Sequence, residues 1–209
     1  MSRPVLRLGL PVLMIAVAAF AVGTAWIWAS NEAAYRHSAA LLRAVQQLRP
    51  GISTESEVAD LFHRHGGNED CNTSNCEFVF EVMNHAVAGV PAQRVFFDIH
   101  AIVRNGLLES TILHAEVITH RFGQSLNRVA DNFDVEPNRQ PYCASLDYTN
   151  RGEPWRAFVR LNQAATASER AAAYDVRLNC FKLGEACENA RQLLPTVWRY
   201  GSSTRRDCF

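Results

Sequence analysis

The feature that most constrains this chain is a long uncharged segment near its amino end. Residues 8–29 contain no charged side chain, and about 20 apolar residues are enough to cross the hydrocarbon core of a membrane as a helix. Trp26 and Trp28 lie at the end of the segment, and indole rings favour the boundary between lipid and water. We therefore predict that residues 8–29 form a transmembrane anchor.

A cleaved signal peptide is the alternative interpretation of the same segment. Small residues recur with the spacing of a cleavage site at residues 19–21 and 23–25. The apolar run is longer than the core of a usual signal peptide, and the second cut would fall beside the two tryptophans. These observations favour a retained anchor.

The charges around the segment predict its orientation. Arg3 and Arg7 precede it and Glu32 is the first charged residue after it, so the positive-inside rule keeps residues 1–7 in the cytoplasm and places residues 31–209 outside. All basic residues but one are arginine, a bias that we interpret as the codon usage of a GC-rich bacterial genome. We expect a single-pass protein of the bacterial inner membrane.

The composition limits the kinds of partner. The chain has 209 residues, with 21 Lys+Arg against 21 Asp+Glu. This balance argues against nucleic-acid binding, which needs a basic surface. The hydrophobic fraction of 48% is ordinary for a folded domain and argues against global disorder.

All six cysteines lie in the part predicted to be exported, and an even number in an oxidising compartment predicts disulfides. Six cysteines allow many pairings. Two pairs are close enough in sequence to close small loops, which would leave the third pair to fix the carboxyl end. In that order the pairs are Cys71 with Cys76, Cys180 with Cys187, and Cys143 with Cys208.

Hydrophobic periodicity predicts helices before the strands begin. Residues 30–50 continue as a stalk helix that Pro50 and Gly51 end, and residues 51–209 form the extracytoplasmic domain. A capping box from Thr54 to Glu57 starts a second helix. Gly66 and Gly67 are expected to stop that helix, and the alternating residues 78–83 read as a strand.

The strongest local signal is a hairpin. Residues 94–103 and 107–119 are rich in β-forming side chains and flank Asn105-Gly106, which favours a tight two-residue turn. That register places Val103 opposite Leu108 and Ile99 opposite Ile112. It also places His100 and His114 on opposite faces of the sheet, so that the two rings do not converge on a metal or a proton relay.

The remaining segments complete an α+β prediction of helices packed on an antiparallel sheet. Residues 124–139 look polar and loop-like, whereas residues 155–161 and 174–178 alternate as strands do. We predict a second hairpin across residues 168–170, or alternatively a short helix at 164–173. A final helix at 185–194 is stopped by Pro195.

One stretch of sequence resembles a known family. Leu48-Arg49-Pro50-Gly51-Ile52-Ser53-Thr54, followed by Val58, Leu61 and Phe62, is similar to the helix start of BamE/SmpA-type envelope proteins over residues 45–120. The resemblance implies helices packed on a small antiparallel sheet and a role in assembling outer-membrane barrels. The whole pattern also resembles uncharacterised exported, single-pass bacterial proteins, a likeness that implies no activity.

A metal site is the main chemical alternative. His63 and His65 precede Cys71 and Cys76, and imidazole and thiolate groups are the ligands that zinc prefers. The spacing is not that of a standard zinc finger, and in an oxidising compartment the cysteines would more readily pair. We therefore expect no metal and no cofactor, with these four residues as the alternative zinc-binding or enzymatic site.

No catalytic motif stands out. The chain lacks a complete nucleophile elbow, a His-Glu-x-x-His sequence, a phosphate loop and a dinucleotide glycine pattern. Histidines His100, His114 and His120 read as ordinary strand residues, and aromatic residues such as Phe96 and Phe158 read as core.

The sequence therefore predicts a membrane-anchored module that binds an envelope protein. A strand edge offers unpaired backbone groups to such a partner. The candidate edges are the hairpin 94–119 and the strand 78–83, with Arg94 and Glu116 setting the register. The alternative is that neighbouring strands already cover both edges.

Overall fold

The computed structural model describes residues 4–84, 94–118, 123–133, 140–148, 150–152, 154–182, 185 and 190–200. It is an α+β chain with a long amino-terminal helix, one mixed sheet and short carboxyl-terminal helices. The helices are α1 Pro4–Val45, α2 Glu55–Arg64, α3 Ala167–Ala173 and α4 Ala190–Leu193, with 3-10 helices at Leu178–Phe181 and Val197–Tyr200. The strands are β1 Asn68–Cys71, β2 Asn75–Met83, β3 Arg94–Arg104, β4 Leu107–Ile118, β5 Gly123–Asn132, β6 Tyr142–Tyr148 and β7 Pro154–Asn162.

Helix α1 carries the apolar segment out of the domain. Its 42 residues extend about 63 Å, twice the thickness of a hydrocarbon core of about 30 Å. The helix is long and apolar enough to cross a membrane, and its most apolar window is not buried by the rest of the chain. An all-apolar helix that no protein covers fits a lipid environment.

The last turns of α1 belong to the domain and not to a free stalk. Leu41, Leu42 and Val45 are buried in the core, as is Leu48 just beyond the helix. Regular helix ends at Val45, slightly before the predicted limit at residue 50. The apolar segment and the folded domain are therefore joined by one continuous helix whose carboxyl end is packed in the core.

Helix α2 forms as its capping signals predict. The Thr54 backbone N–H donates to Glu57 Oε2 at 2.8 Å and Glu57 N–H donates to Thr54 Oγ1 at 3.4 Å, which completes the capping box. Val58 and Phe62 turn inward. The chain leaves the helix through Gly66, whose φ of 72° is strained for other residues.

The sheet has seven strands in the order β1-β2-β3-β4-β5-β7-β6. All neighbours are antiparallel except β5 and β7, which are parallel, so the predicted antiparallel sheet is mixed at one pair. Strand β5 corrects the prediction of a loop at 124–139 over residues 124–132, and residues 134–139 lie outside the described part of the chain. Its sequence looks polar because Arg128 and Asn132 lie on the open face and one of the residues facing the helices, Asp131, is charged.

The structure decides between the two predictions for this region, a hairpin across residues 168–170 or a short helix at 164–173. Residues 167–173 form the helix, with a capping box between Thr166 and Glu169, so the predicted hairpin across 168–170 is wrong. Residues 174–178 are not a strand either, because they turn from α3 into the following 3-10 helix. Strand β6 had no counterpart in the sequence analysis. Of the predicted helix 185–194, residues Ala190–Leu193 form α4, whereas the described residues Glu185 and Leu194 are not helical.

The hairpin of β3 and β4 lies in the middle of the sheet. Its turn has φ of 53° at Asn105 and 78° at Gly106, as the Asn-Gly pair predicts. Strands β2 and β5 pair with its two outer sides. The proposal that this hairpin is a free edge for a partner strand is therefore wrong, and the edges of the described sheet are β1 and β6.

The helices cover one face of the sheet. Apolar side chains from α1, α2, α4 and both 3-10 helices pack on alternate residues of the strands. Phe97 of β3, for example, meets Phe181 edge-on, with ring centroids 6.3 Å apart. The largest fully buried side chains of this core are Phe62, Phe78, Phe97, Phe181, Leu41, Ile99, Leu108, Leu113, Leu161, Leu193 and Leu194.

A disulfide closes the first hairpin. Cys71 of β1 and Cys76 of β2 are bonded to each other and are also register partners. Cys143 is disulfide-bonded as well, to a cysteine whose side chain lies outside the described part of the chain. The pairings of Cys180 with Cys187 and of Cys143 with Cys208 stay predictions.

Candidate binding groove on the open sheet face

The face of the sheet turned away from the helices carries a polar groove. Because side chains alternate along a strand, the residues between the core positions point to this second face. One cleft there has a volume of about 430 Å³. It is lined by Glu77, Asp98, His100, Ile112, His114, Arg128, Arg156 and Phe158.

A β-bulge brings two histidines into this cleft. Glu109 is an extra residue in β4, because Val103 pairs with Leu108 whereas Ile102 pairs with Ser110. Beyond the bulge, Asp98 pairs with His114. The prediction that His100 and His114 lie on opposite faces is therefore wrong, since a one-residue shift moves every later side chain to the other face.

Contacts of the helix connection accompany the bulge. The backbone of Leu108 bonds with the backbones of Gly51 and Ser53, at 2.7 and 2.8 Å. The carbonyl of Glu109 accepts from the N–H of Phe133 at 2.8 Å, and its carboxylate pairs with Arg104 at 3.0 Å. These partners come from distant parts of the chain, so a local hairpin pattern does not reveal the bulge.

His100 and His114 flank the buried carboxylate of Asp98. His100 Nε2 is 3.6 Å from Asp98 Oδ2, and His114 Nδ1 is 3.5 Å from Asp98 Oδ1. On its other side, His100 Nδ1 is 2.7 Å from Glu77 Oε1. The four side chains therefore form a row of alternating acid and imidazole across β2, β3 and β4.

This row changes the protonation of its members. Asp98 raises the pKa of His100 to about 9, against the opposing effect of burial and with help from Glu77. The contact with Glu77 is shorter, but Asp98 is the more buried carboxylate and less water screens its charge. Burial would raise the pKa of Asp98, yet hydrogen bonds with the two histidines lower it below its ordinary value. His100 is therefore an imidazolium at neutral pH.

The other side of the cleft is basic and aromatic. Arg128 of β5 pairs in register with His114 of β4 and with Phe158 of β7. Its guanidinium carbon lies 6.0 Å from the centre of the Phe158 ring, a distance at which a cation is attracted to the ring face. Arg156 reaches the cleft from β7, with its Nη1 3.9 Å from Asp147 Oδ2.

A second cleft of about 580 Å³ continues from the first. The two share Ile112, Arg128 and Phe158. The second adds Glu109, Ser110, Ala130, Asn132, Phe133 and Arg160. We call the two clefts together the open-face groove. It has an acid–imidazole row at one end and arginines at the other, and its floor includes the apolar side chains of Ile112 and Phe158.

The structure does not bring the four predicted zinc ligands together. The sulfurs of Cys71 and Cys76 are bonded to each other, so neither thiolate is free to bind a metal in the oxidised chain. His63 Nε2 pairs with Glu69 Oε2 at 2.9 Å. His65 instead faces His37, with ring centroids 5.5 Å apart. The pKa of His65 is lowered, mainly by burial and to a lesser extent by the charge of His37.

In the described part of the chain, no group of three or more His, Cys, Asp or Glu side chains is arranged to hold a metal ion. His120 lies outside the described residues. The sequence pattern did not indicate the roles of Glu77, Asp98 and Arg128. It also assigned Phe96 and Phe158 to the core, whereas both lie on the open face and are only partly buried.

No protein family, curated protein or solved structure matches this chain. The resemblance of residues 45–120 to BamE/SmpA-type envelope proteins therefore stays a prediction.

Proposed function

We propose that this chain is a membrane-anchored, extracytoplasmic module of the bacterial envelope that binds another protein through the open-face groove. The observation that carries the proposal is the groove itself. Its floor offers the apolar side chains Ile112 and Phe158 to a ligand, and charged groups of both signs surround them. Such a mixture of apolar anchors and polar rim is typical of protein-binding surfaces.

Two further features support the proposed membrane attachment and extracytoplasmic location. Helix α1 joins an apolar span directly to the packed domain. The disulfide between Cys71 and Cys76, with the bonded Cys143, fits an oxidising compartment, because cytosolic thiols are normally kept reduced.

The second cleft has Ser110 in its lining, whereas the first cleft is lined by carboxylate, imidazole, guanidinium and apolar side chains. Among the described residues that line the first cleft there is no serine, threonine, cysteine or lysine, the side chains most often used as nucleophiles. The alternative zinc or enzymatic site at His63, His65, Cys71 and Cys76 would require the disulfide to be reduced first. Oxidised, full-length protein is therefore the form in which we expect binding.

Photo-crosslinking in intact cells tests the proposal. A photoreactive phenylalanine analogue at Ile112 or at Phe158 should capture one segment of one envelope protein, the same from both positions, as mapped by mass spectrometry of the adduct. The matched control places the analogue at Asp60, which is exposed on α2 on the covered side of the sheet. We expect no adduct with that protein from Asp60.

Two outcomes would contradict the proposal. Equal capture from Asp60 would show that the groove is not the contact surface. Absence of a discrete adduct from both groove positions, in membranes that retain the folded and oxidised chain, would show that the open face binds no protein.

A further inference from the structure

We propose that the open-face groove recognises an acidic, partly apolar segment of the partner, and that Arg128 is the residue that receives its carboxylate. This inference rests on the proposed function and adds the chemistry of the segment. It depends on the contacts of Arg128, on the charges of its neighbours and on the dimensions of the groove.

Arg128 is a cation without a carboxylate partner in the described part of the chain. Arg128 is exposed, and its guanidinium lies over the ring of Phe158. By comparison, Arg156 has Asp147 beside it and Arg170 has Asp131. A guanidinium held over an aromatic ring keeps its donors available for a carboxylate, which it can bind through two parallel hydrogen bonds.

The position of Arg128 makes it the centre of the groove. It lines both clefts, together with Ile112 and Phe158. Its neighbours on β7 include Arg156 in the first cleft and Arg160 in the second. A ligand that lies along the groove therefore passes Arg128 whichever cleft it enters.

The carboxylates at the far end of the groove do not cancel this positive charge. Glu77 and Asp98 are both engaged by His100, and His114 also contacts Asp98. The two histidines therefore compensate the charge of these acids in part, and Arg128 lies two strands away from Asp98. Glu109, the carboxylate in the second cleft, pairs with Arg104 at 3.0 Å. Electrostatic complementarity then favours an anionic group over Arg128.

The dimensions of the groove fit an extended polypeptide better than a small anion. Strands lie about 4.8 Å apart, so the path from β3 across β4 and β5 to β7 is about 14 Å long. About four extended residues span that distance at 3.3 Å each. Ile112 and Phe158 would contact apolar side chains of the segment while Arg128 binds an acidic one.

A titration with model peptides on the full-length chain in zwitterionic lipid nanodiscs tests the inference. The probe is an acetylated, amidated peptide in which glutamate alternates with phenylalanine, and the matched probe has glutamine in place of glutamate. We expect the glutamate peptide to shift the Nε–Hε NMR signal of Arg128, assigned through its loss in Arg128→Gln. The glutamine peptide should bind at least about tenfold more weakly, because it lacks the charge-assisted pair.

Matched variants separate this site from general attraction to a basic protein. Arg128→Gln should weaken binding of the glutamate peptide about tenfold, whereas Arg64→Gln on α2, an exposed arginine outside the groove, should leave it unchanged. Equal losses in the two variants would overturn the inference. Inorganic phosphate displacing the peptide at equal concentration would also overturn it, since a simple anion site would then explain the binding.

Crosslinking with the Arg128→Gln variant separates failure of this inference from failure of the proposed function. The photoreactive analogue at position 112 is combined with Arg128→Gln. If it then captures the partner segment with undiminished yield, the groove binds a protein but Arg128 does not bind an acidic group. If the captured segment contains no acidic residue, the inference is wrong while the proposed function stands. Loss of the adduct in Arg128→Gln, together with an acidic captured segment, is the result that we expect.

Discussion

Replacing Arg170 by alanine is expected to lower the free energy of unfolding by about 3–5 kcal/mol. The guanidinium Nη1 of Arg170 contacts Asp131 Oδ2, and both side chains are more than nine-tenths buried. Its Nη2 also donates to the carbonyl of Asn162 at 2.7 Å. The alanine variant would leave the carboxylate of Asp131 buried and without its cation, in the contact between α3 and β5. Urea unfolding followed by near-ultraviolet circular dichroism measures the loss.

Two control variants make this result specific. Arg170→Met combined with Asp131→Asn removes both charges, and we expect it to lose clearly less stability than Arg170→Ala alone, because no buried charge is left uncompensated. Arg64→Ala, at an exposed position on α2, should change the free energy of unfolding by less than about 0.5 kcal/mol. If Arg170→Ala is no more destabilising than Arg64→Ala, the buried pair does not exist.

The pH dependence of the alanine variant gives a second check. Burial raises the pKa of Asp131 to about 6, and the Arg170 guanidinium opposes that rise. A carboxyl whose folded pKa is raised contributes stability at low pH, which is lost as the pH rises through the folded pKa. The deficit of Arg170→Ala should therefore grow between pH 4 and pH 7. A deficit that shrinks over this range would contradict the assignment.

Raising the pH from 7 to 10 is expected to remove about 1–2 kcal/mol of stability that comes from His100. The pKa of His100 is raised from 6.5 to about 9 in the folded chain. A raised histidine pKa stabilises the fold below 6.5, and that contribution is lost as the pH rises through 9. The expected loss is smaller than the full shift would give, because Glu77 is half exposed and water screens part of the attraction.

The variant His100→Gln isolates this effect from other groups that titrate at high pH. The difference in unfolding free energy between the natural chain and His100→Gln should decline between pH 7 and pH 10. Histidine NMR should place the titration of His100 near pH 9. A ring that titrates near 6.5 would show that the row of Glu77, His100, Asp98 and His114 is not assembled as described.

The elements predicted correctly are those that local chemistry specifies. The capping box at Thr54 and the Asn-Gly turn each depend on a few neighbouring residues, and both form as expected. The helix 164–173, retained as an alternative, also has its own capping box. These signals required no knowledge of the rest of the fold.

The candidate site could not be predicted because it depends on distant contacts. The predicted register of the hairpin was counted outward from the turn and assumed no bulge. One extra residue, Glu109, moves His114 and the residues around it to the opposite faces of the sheet. Strand β5 was read as a loop because polar residues such as Arg128 and Asn132 lie on its open face. Once β5 is recognised as a strand, Arg128 falls beside His114 and Phe158.

The claim on which this account depends most is that residues 8–29 remain attached to an oxidised domain outside the cytoplasm. Intact-mass measurement tests both parts at once. The protein would be extracted from membranes washed with alkaline carbonate and alkylated without reductant. We expect a single species that begins at the amino terminus of the chain and carries no alkyl group. Soluble protein beginning near Val22 or Trp26, or a membrane species with two or more alkylated cysteines, would contradict the account.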